Sequence, residues 1–381
     1  MKKKIAVTFP IFKSFGGAEL VSLEICNFLS KKFNVELIFY KSEINNKLKF
    51  KNNYKINIIR SKNKFIDFLC SNIVLCAQVY LIYYLNKNQK SFDYVFSSSG
   101  EIISKLPVIQ LVHHPFFSLK VWHYSALGIK PIQIHKILAR FILTIFLRII
   151  FGISKKKLKK NYTVCNSKWS KQRYNSAFGL NANQHLYCTF DLGDPLKESF
   201  DEYEKRNDDF VMIGRVSKDK RIEEAISVFK SIHEINKNFK GKLHIIGTGR
   251  SKYISYLKSK CINNKIIFHG FLDEKDKNRI LLKSKYGLHL FRYEHFGIAP
   301  CEMQNSGVLC FVYDKGGPAE IIQPSSLKFK SKKDLVKKIN NIILDSNKRA
   351  TAHYSIKNQT KIFTKKSFYE TLENIILQFK V

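Results

Sequence analysis

Short apolar runs alternate with stretches of helical period along this chain, and the alternation starts twice. Ile5–Phe9 is a buried strand pattern, Ala18–Lys31 an amphipathic helix and Val35–Tyr40 the next strand. The same order returns with a strand at Phe210–Ile213, a helix at Ile222–Asn236 and a strand at Leu243–Ile246. A strand that reaches the next through a helix runs parallel to it, so each half predicts a doubly wound parallel sheet of the α/β class. Ile56–Arg60, Phe92–Ser97, Val108–Val112 and Tyr162–Asn166 add strands to the first half. Ile266–His269, Gly287–Phe291 and Val308–Val312 add them to the second. A length of 381 residues exceeds one ordinary domain. The expected division is 1–190, a polar linker at 191–208 containing Pro195, a second domain at 209–355, and a C-terminal helix at 356–381 crossing back to the first.

Two apolar segments raise a membrane question. Phe68–Asn86 has no charged residue, but Ser71, Asn72 and Gln78 interrupt it, so a helix buried against the sheet is expected rather than a span. Pro131–Lys160 carries a wide apolar face broken by His135, Lys136, Arg140 and Arg148, then Lys155, Lys156, Lys157, Lys159 and Lys160. That is the pattern of an interfacial helix with a polybasic flank; a domain helix with one solvated face gives the same pattern. The N-terminus has basic residues but no long apolar run, so no signal peptide is expected.

The net charge is +36, from 66 basic and 30 acidic residues. It invites nucleic acid, anionic membrane or phosphorylated ligands as partners. Lys, Asn and Ile are abundant throughout, which dilutes the meaning of the total, and no nucleic-acid motif is present. Eight cysteines form no CxxC pair and no zinc spacing. Buried free thiols, a reducing compartment and no metal centre are expected.

The residues that carry chemistry follow strands. Gly16-Gly17-Ala18-Glu19 opens the first helix, where glycines allow close backbone approach and the helix N-terminus favours an anion. This is not the GxGxxG fingerprint of nicotinamide enzymes. His113-His114-Pro115 follows the strand ending at Val112, where an imidazole can meet a substrate hydroxyl. Gly214-Arg215 with Lys220 stands at the matching place in the second half, and two cations there can converge on a diphosphate. Gly247-Thr248-Gly249 is a further turn after a strand. Glu294 and Glu302 lie eight residues apart around Gly297, with Gly316-Gly317-Pro318 downstream. Glu302 is expected in the first turn of a helix beginning at Cys301. Ionised acids repel phosphate and suit neutral hydroxyl-rich groups such as a sugar and a ribose. Each motif taken alone also fits an ordinary solvated turn.

Together, and in this order, these residues resemble the retaining glycosyltransferases of the GT-B fold in glycosyltransferase family 4, over nearly the whole chain. The wording Glu294-His-Phe-Gly-Ile298 and Val112-His-His-Pro115 is most similar to α-1,2-mannosyltransferases of lipid-linked oligosaccharide assembly. The resemblance implies two Rossmann-like domains facing a cleft, the first on the acceptor side and the second binding a nucleotide sugar. It implies that Glu294 binds the transferred sugar, Glu302 holds the ribose, Arg215 and Lys220 neutralise the diphosphate, and His113 contacts the sugar near the reacting carbon. Gly16, Gly17, Gly214, Gly247 and the backbone of Phe296, Gly297 and Ile298 would complete the donor site. After Glu302 the family usually continues Ala-Met-Ala-Ala-Gly; this chain has Met303-Gln-Asn-Ser-Gly307, which alters packing beside the ribose. Phe116–Lys130, on the acceptor side, shows no recognisable pattern.

The expectation is therefore a hexosyltransferase that needs no cofactor beyond its nucleoside-diphosphate sugar. The transferred group would be a hexose, with mannose favoured by the wording. The acceptor would be a lipid-linked or cell-surface glycan, and the enzyme peripheral at the cytoplasmic face of a membrane. Another GT-B enzyme, such as a sugar-nucleotide epimerase or a phosphorylase, and a non-catalytic basic nucleic-acid-binding protein are the competing readings.

Overall fold

A computed structural model describes residues 2–12, 16–40, 53–120, 134–189, 197–261 and 265–379. The chain divides into two compact units, Met1–Phe190 with Tyr369–Val381, and Asp191–Phe368. Residues 121–133 of the undeciphered acceptor-side stretch and helix start, and linker residues 191–196, lie outside the described residues.

The first unit runs β1 (Lys4–Phe9), α1 (Gly17–Leu29), β2 (Asn34–Tyr40), β3 (Lys55–Ile59), α2 (Lys64–Asn72), α3 (Val74–Lys87), β4 (Tyr94–Ser97) and β5 (Val108–Val112), then α4 (Ile134–Ile150), α5 (Lys155–Leu158), β6 (Tyr162–Cys165), α6 (Lys168–Phe178) and β7 (Gln184–His185). Its seven strands are ordered β3-β2-β1-β4-β5-β6-β7, and all pairs are parallel. Helices on both faces explain why β1, β2 and β5 are mostly apolar and buried almost throughout, with Thr8, Glu36 and Gln110 as buried polar exceptions. The strand order reverses between β1 and β4. In open parallel sheets, ligands bind beyond the carboxyl ends of strands at such a reversal.

The second unit runs α7 (Phe200–Glu204), β8 (Asn207–Ile213), α8 (Ile222–Ile235), β9 (Leu243–Ile246), α9 (Ser251–Ser259), β10 (Ile266–Gly270), α10 (Glu274–Lys283) and β11 (Ser284–His289), then α11 (Ile298–Asn305), β12 (Leu309–Tyr313), α12 (Pro318–Ile321), β13 (Lys328–Phe329), α13 (Lys332–Leu344), α14 (Ser346–Thr360) and α15 (Lys365–Gln378), whose end belongs to the first unit. Its sheet order is β10-β9-β8-β11-β12-β13, again parallel, with the reversal between β8 and β11.

Several expectations change. Phe68–Asn86 is not one helix: Ile73 takes an extended conformation between α2 and α3. Eight residues of α3 are buried, and among the described residues no helix is long and apolar enough to cross a membrane. Pro131–Lys160 also divides, because Gly152 turns at φ +58° and Ser154 caps α5 afresh. Residues 197–208 belong to the second unit rather than to a linker. Tyr203 is fully buried there, and Glu204 is held by Arg349 of α14 through two bonds of 2.9 Å. The segment 356–381 holds the end of α14 and all of α15, not a single helix. Within the first unit, Tyr369 hydrogen-bonds Glu24, and Lys32 pairs with Glu373.

Candidate active site

The reversal between β8 and β11 gathers most of the second unit's expected residues. Beyond β8, Gly214 takes φ +135° and leads into Arg215 and Lys220. Beyond β11, the chain carries Glu294 in its loop. Lys220 Nζ lies 2.8 Å from Glu294 Oε2, with about a fifth of each side chain exposed. The ammonium also stands 5.0 Å from the centre of the Phe291 ring. Arg221 follows Lys220 with φ +55°, the one non-glycine residue with positive φ among the described residues. Such strain persists only where surroundings hold it; here Glu224 of α8 pairs with Arg221 and also meets Arg292 at 3.5 Å.

Burial raises the pKa of Glu294, but Lys220 and His289 outweigh it and hold the carboxyl well below the usual range. Glu294 is thus an ionised acceptor of hydrogen bonds at any physiological pH, the form that hydroxyl groups need. His289 ends β11, is 3% exposed, and has Nε2 3.5 Å from the same carboxylate oxygen. Its imidazole is pushed down by burial. Lys220 has three donors, so it can keep Glu294 and still meet a phosphate oxygen.

Arg215 does not share this packing. It is 74% exposed, with Asp219 at 4.0 Å. Glu302 lies in the second turn of α11, which starts at Ile298 rather than Cys301. Lys277 of α10 donates to Glu302 at 3.1 Å and to Glu274 at 2.9 Å. Burial lowers the Lys277 pKa, but the two carboxylates raise it further. Phe296 is buried, and Gly297 precedes α11 at φ +108°. The departure at Met303 has a local answer. A Cβ on Gly287 of β11 would stand 2.6 Å from the Met303 sulfur, so the strand glycine makes room for the longer side chain.

Close backbone contact explains two glycine motifs. A Cβ on Gly247 would meet the Gly214 carbonyl oxygen at 2.0 Å, so the loops after β9 and β8 touch through backbone alone. Gly317 donates its N–H to the Glu294 carbonyl at 2.9 Å, pressing the Gly316-Gly317 turn onto the loop of the first acid. Among the described residues, no three His, Cys, Asp or Glu side chains form a metal-holding group.

In the first unit, His113 follows β5. Its Nε2 lies 3.1 Å from the Ser98 carbonyl oxygen, which only accepts, so Nε2 carries the proton. Nδ1 then accepts from the Asn166 amide at 3.0 Å. Burial pushes the imidazole down to about 4, against the Ser98 bond. His113 is therefore neutral, with both ring nitrogens engaged; a substrate hydroxyl would have to displace one partner or meet the backbone. His114 is buried. Ser98 also hydrogen-bonds Ser22 of α1 at 2.7 Å and the Thr8 carbonyl at 2.8 Å, which ties the helix opened by Gly16 and Gly17 to the ends of β1 and β4.

Glu101 holds the turn after His113. Its Oε2 accepts from the N–H groups of Phe116 at 2.9 Å and Phe117 at 3.4 Å, and Arg140 of α4 donates to the Phe116 carbonyl at 3.0 Å. Fully buried, Glu101 has its pKa raised by desolvation to about 8. Between its ordinary value and about 8 the unfolded chain gives up this proton and the folded chain keeps it, so stability falls as pH rises through that window. Glu101→Gln, which mimics the neutral acid, should change stability little near pH 5 and raise it by up to about 4 kcal/mol near pH 8.5 in urea unfolding. Equal destabilisation at both pH values would place an ionised carboxylate there instead.

Residues 196–359 match the family model of glycosyl transferases group 1. The second unit carries a glycosyltransferase domain. The whole chain has the GT-B fold: it superposes on HepE from Anabaena, solved in complex with UDP and glucose, with a TM-score of 0.70 over 99% of this chain and 100% of that one, at 15% identity. It is 24% identical over 260 residues to the GDP-Man:Man(3)GlcNAc(2)-PP-Dol alpha-1,2-mannosyltransferase of Kluyveromyces lactis, covering 64% of this chain and 44% of that protein. It is 30% identical over 106 residues to the alpha-1,3/1,6-mannosyltransferase of Saccharomyces cerevisiae, covering 28% and 21%. The chain thus spans less than half the length of either curated relative.

The sequence reading passed over His289, Asn166 and Lys277. His289 ends the run Tyr286-Gly-Leu-His, and a polar residue closing an apolar strand was a usable signal. Lys277 and Asn166 had none, because their roles come from neighbours far away in sequence.

Proposed function

We propose that this protein is a retaining hexosyltransferase, with a nucleoside-diphosphate sugar as donor and the hydroxyl of a lipid-linked or cell-surface glycan as acceptor. The observation that carries this is the Lys220–Glu294 pair at the sheet reversal of a domain matching glycosyl transferases. Lys220 and Arg215 would take up the negative charge that builds on the departing diphosphate, where fixed charge stabilises a transition state. Glu294 would accept hydrogen bonds from the sugar hydroxyls, and Glu302, steadied by Lys277, from the ribose. Same-face transfer breaks the bond from the anomeric carbon to phosphate oxygen and forms one to the acceptor oxygen; the acceptor proton passes to the leaving phosphate. The two mannosyltransferase relatives support a mannosyl group, and the name of the Kluyveromyces lactis protein supports GDP as its carrier.

A thermal-shift series with UDP, GDP, ADP and their common sugars tests the donor, since a ligand of the folded state raises the melting temperature. GDP and GDP-mannose should give the largest shifts. If no nucleoside diphosphate stabilises the protein, the donor site is misassigned. Release of nucleotide without a glycosylated product would favour an epimerase.

The same reading places the protein at the cytoplasmic face of a membrane through α4 and α5. Leu138, Ile142, Phe146 and Ile149 form one exposed stripe at helical spacing, and Lys155, Lys156, Lys157, Lys159 and Lys160 are exposed beside it. Sedimentation with anionic vesicles should retain the protein at low salt and release it as salt rises. Replacing the five lysines with Gln should release it while leaving nucleotide binding intact. Indifference of the wild type to anionic vesicles would sink the membrane reading.

A further inference from the structure

The first unit holds a second feature, away from the sheet reversal. A cavity of about 820 Å³ lies among α2, α3, α4 and the end of β3. That is within the roughly 300–1,000 Å³ of small-molecule sites. Its floor is apolar and buried, with Cys70, Cys76 and Val79. Its outer wall is apolar yet exposed: Ile66 is 40% exposed, and Phe146 and Ile150 57% each. Arg60, Lys62 and Lys87 also line it and are exposed. Among the described residues none of these three cations forms an ion pair, and no acidic side chain lines the cavity.

The walls are held in place. Tyr40 donates to Asp67 of α2 at 2.5 Å and accepts from the Ser61 N–H at 2.9 Å. Tyr80 of α3 donates to the Arg60 carbonyl at 3.1 Å and meets Tyr40 edge-on, with centroids 5.0 Å apart. The opening is therefore a shaped cavity and not a loose seam. Around it, Phe65 and Phe68 of α2 are 68% and 64% exposed, so exposed apolar surface continues along α2 beyond the cavity. Exposed apolar surface of this extent marks a contact site.

We propose that this cavity takes one hydrocarbon chain of a phosphate-headed lipid, with the chain against Ile66, Val79, Phe146 and Ile150 and the head on Arg60, Lys62 and Lys87. Charge complementarity selects this occupant: three exposed cations, none ion-paired among the described residues, line a cavity whose described lining holds no acid, and they fit an anionic head on an apolar tail. The site goes beyond the transfer reaction and does not depend on it.

Decyl phosphate below its micelle concentration, titrated calorimetrically into the full chain, tests the site without a bilayer. It should bind saturably, and inorganic phosphate and decanol should each bind at least about ten-fold more weakly, since each lacks half of the contact. Ile66→Asp with Ile150→Asp, at exposed positions that tolerate a charge, should weaken decyl phosphate by at least about ten-fold. Arg60→Gln, Lys62→Gln and Lys87→Gln together should do the same through the head. Leu138→Ser with Ile142→Ser, outside the cavity, should leave this binding unchanged while loosening the protein from vesicles. The proposal is overturned if inorganic phosphate matches decyl phosphate, if both cavity variants bind as the wild type does, or if a partner protein but no amphiphile occupies the site.

Discussion

Glu294→Gln is expected to lower turnover by about a hundred- to thousand-fold with little loss of donor affinity, because its contacts with the sugar strengthen as the anomeric carbon loses its bond to phosphate. The ion pair sharpens the test. Lys220→Ala removes a diphosphate contact and also leaves the Glu294 carboxylate, about a fifth exposed, without its cation at 2.8 Å. It should cost about 1–3 kcal/mol of stability and weaken the nucleoside diphosphate far more than the nucleoside. In the double variant the stability loss should shrink, since residues in one ion pair are not additive. Arg215→Ala, at a 74% exposed position, should keep full stability and weaken the diphosphate by about ten-fold. Steady-state kinetics, nucleotide binding and urea unfolding on the four proteins separate these outcomes. Near-normal turnover of Glu294→Gln with the true donor would remove that residue from the chemistry.

The alternation of strand and helix patterns was legible because strands of a parallel sheet are buried on both faces and read as mainly apolar runs. Val108–Val112 and Leu243–Ile246 have the bounds their residues suggest. The breaks were harder to see. Nothing in Asn72-Ile73-Val74 announces an extended residue between two helices, since Ile is a tolerable helix former. The polar segment at 197–208 looked like a linker because its anchor, the pair of bonds from Arg349 to Glu204, spans 145 residues.

The candidate site shows the same divide. Which residues follow strands was readable, and the sheet order puts Lys220 and Glu294 at one reversal. Their pairing was not readable, nor was the pairing of Glu302 with Lys277, because the partners stand 74 and 25 residues apart in the chain. His113 shows the limit on the other side. The sequence marks a histidine after a strand, but only the fold shows that Ser98 and Asn166 already occupy both its nitrogens.

The glycine pair after β12 carries the second large expected effect. Gly317→Ala should cost about 3 kcal/mol or more and take turnover down with it. A Cβ there would stand 2.3 Å from the His295 carbonyl oxygen and 2.4 Å from the Phe296 Cα, which are backbone atoms that cannot rotate away. Its φ of −57° is ordinary, so the whole penalty is steric and falls on the loop that carries Glu294. That loop must shift, and the Gly317 bond to the Glu294 carbonyl must break. Gly270→Ala is the control. Gly270 has φ +71° but no atom within 4 Å of an added Cβ, so only backbone strain of about 1 kcal/mol is expected. Unfolding midpoints and donor kinetics on the two variants decide the matter. If Gly317→Ala behaves like Gly270→Ala, the turn does not clamp the loop of Glu294, and the two glycines serve chain reversal alone. A large stability loss with donor kinetics unchanged in the folded fraction would put the clamp in the fold and not in the site. The expected result is loss of both, because the backbone atoms the new methyl meets belong to the two residues that directly follow Glu294.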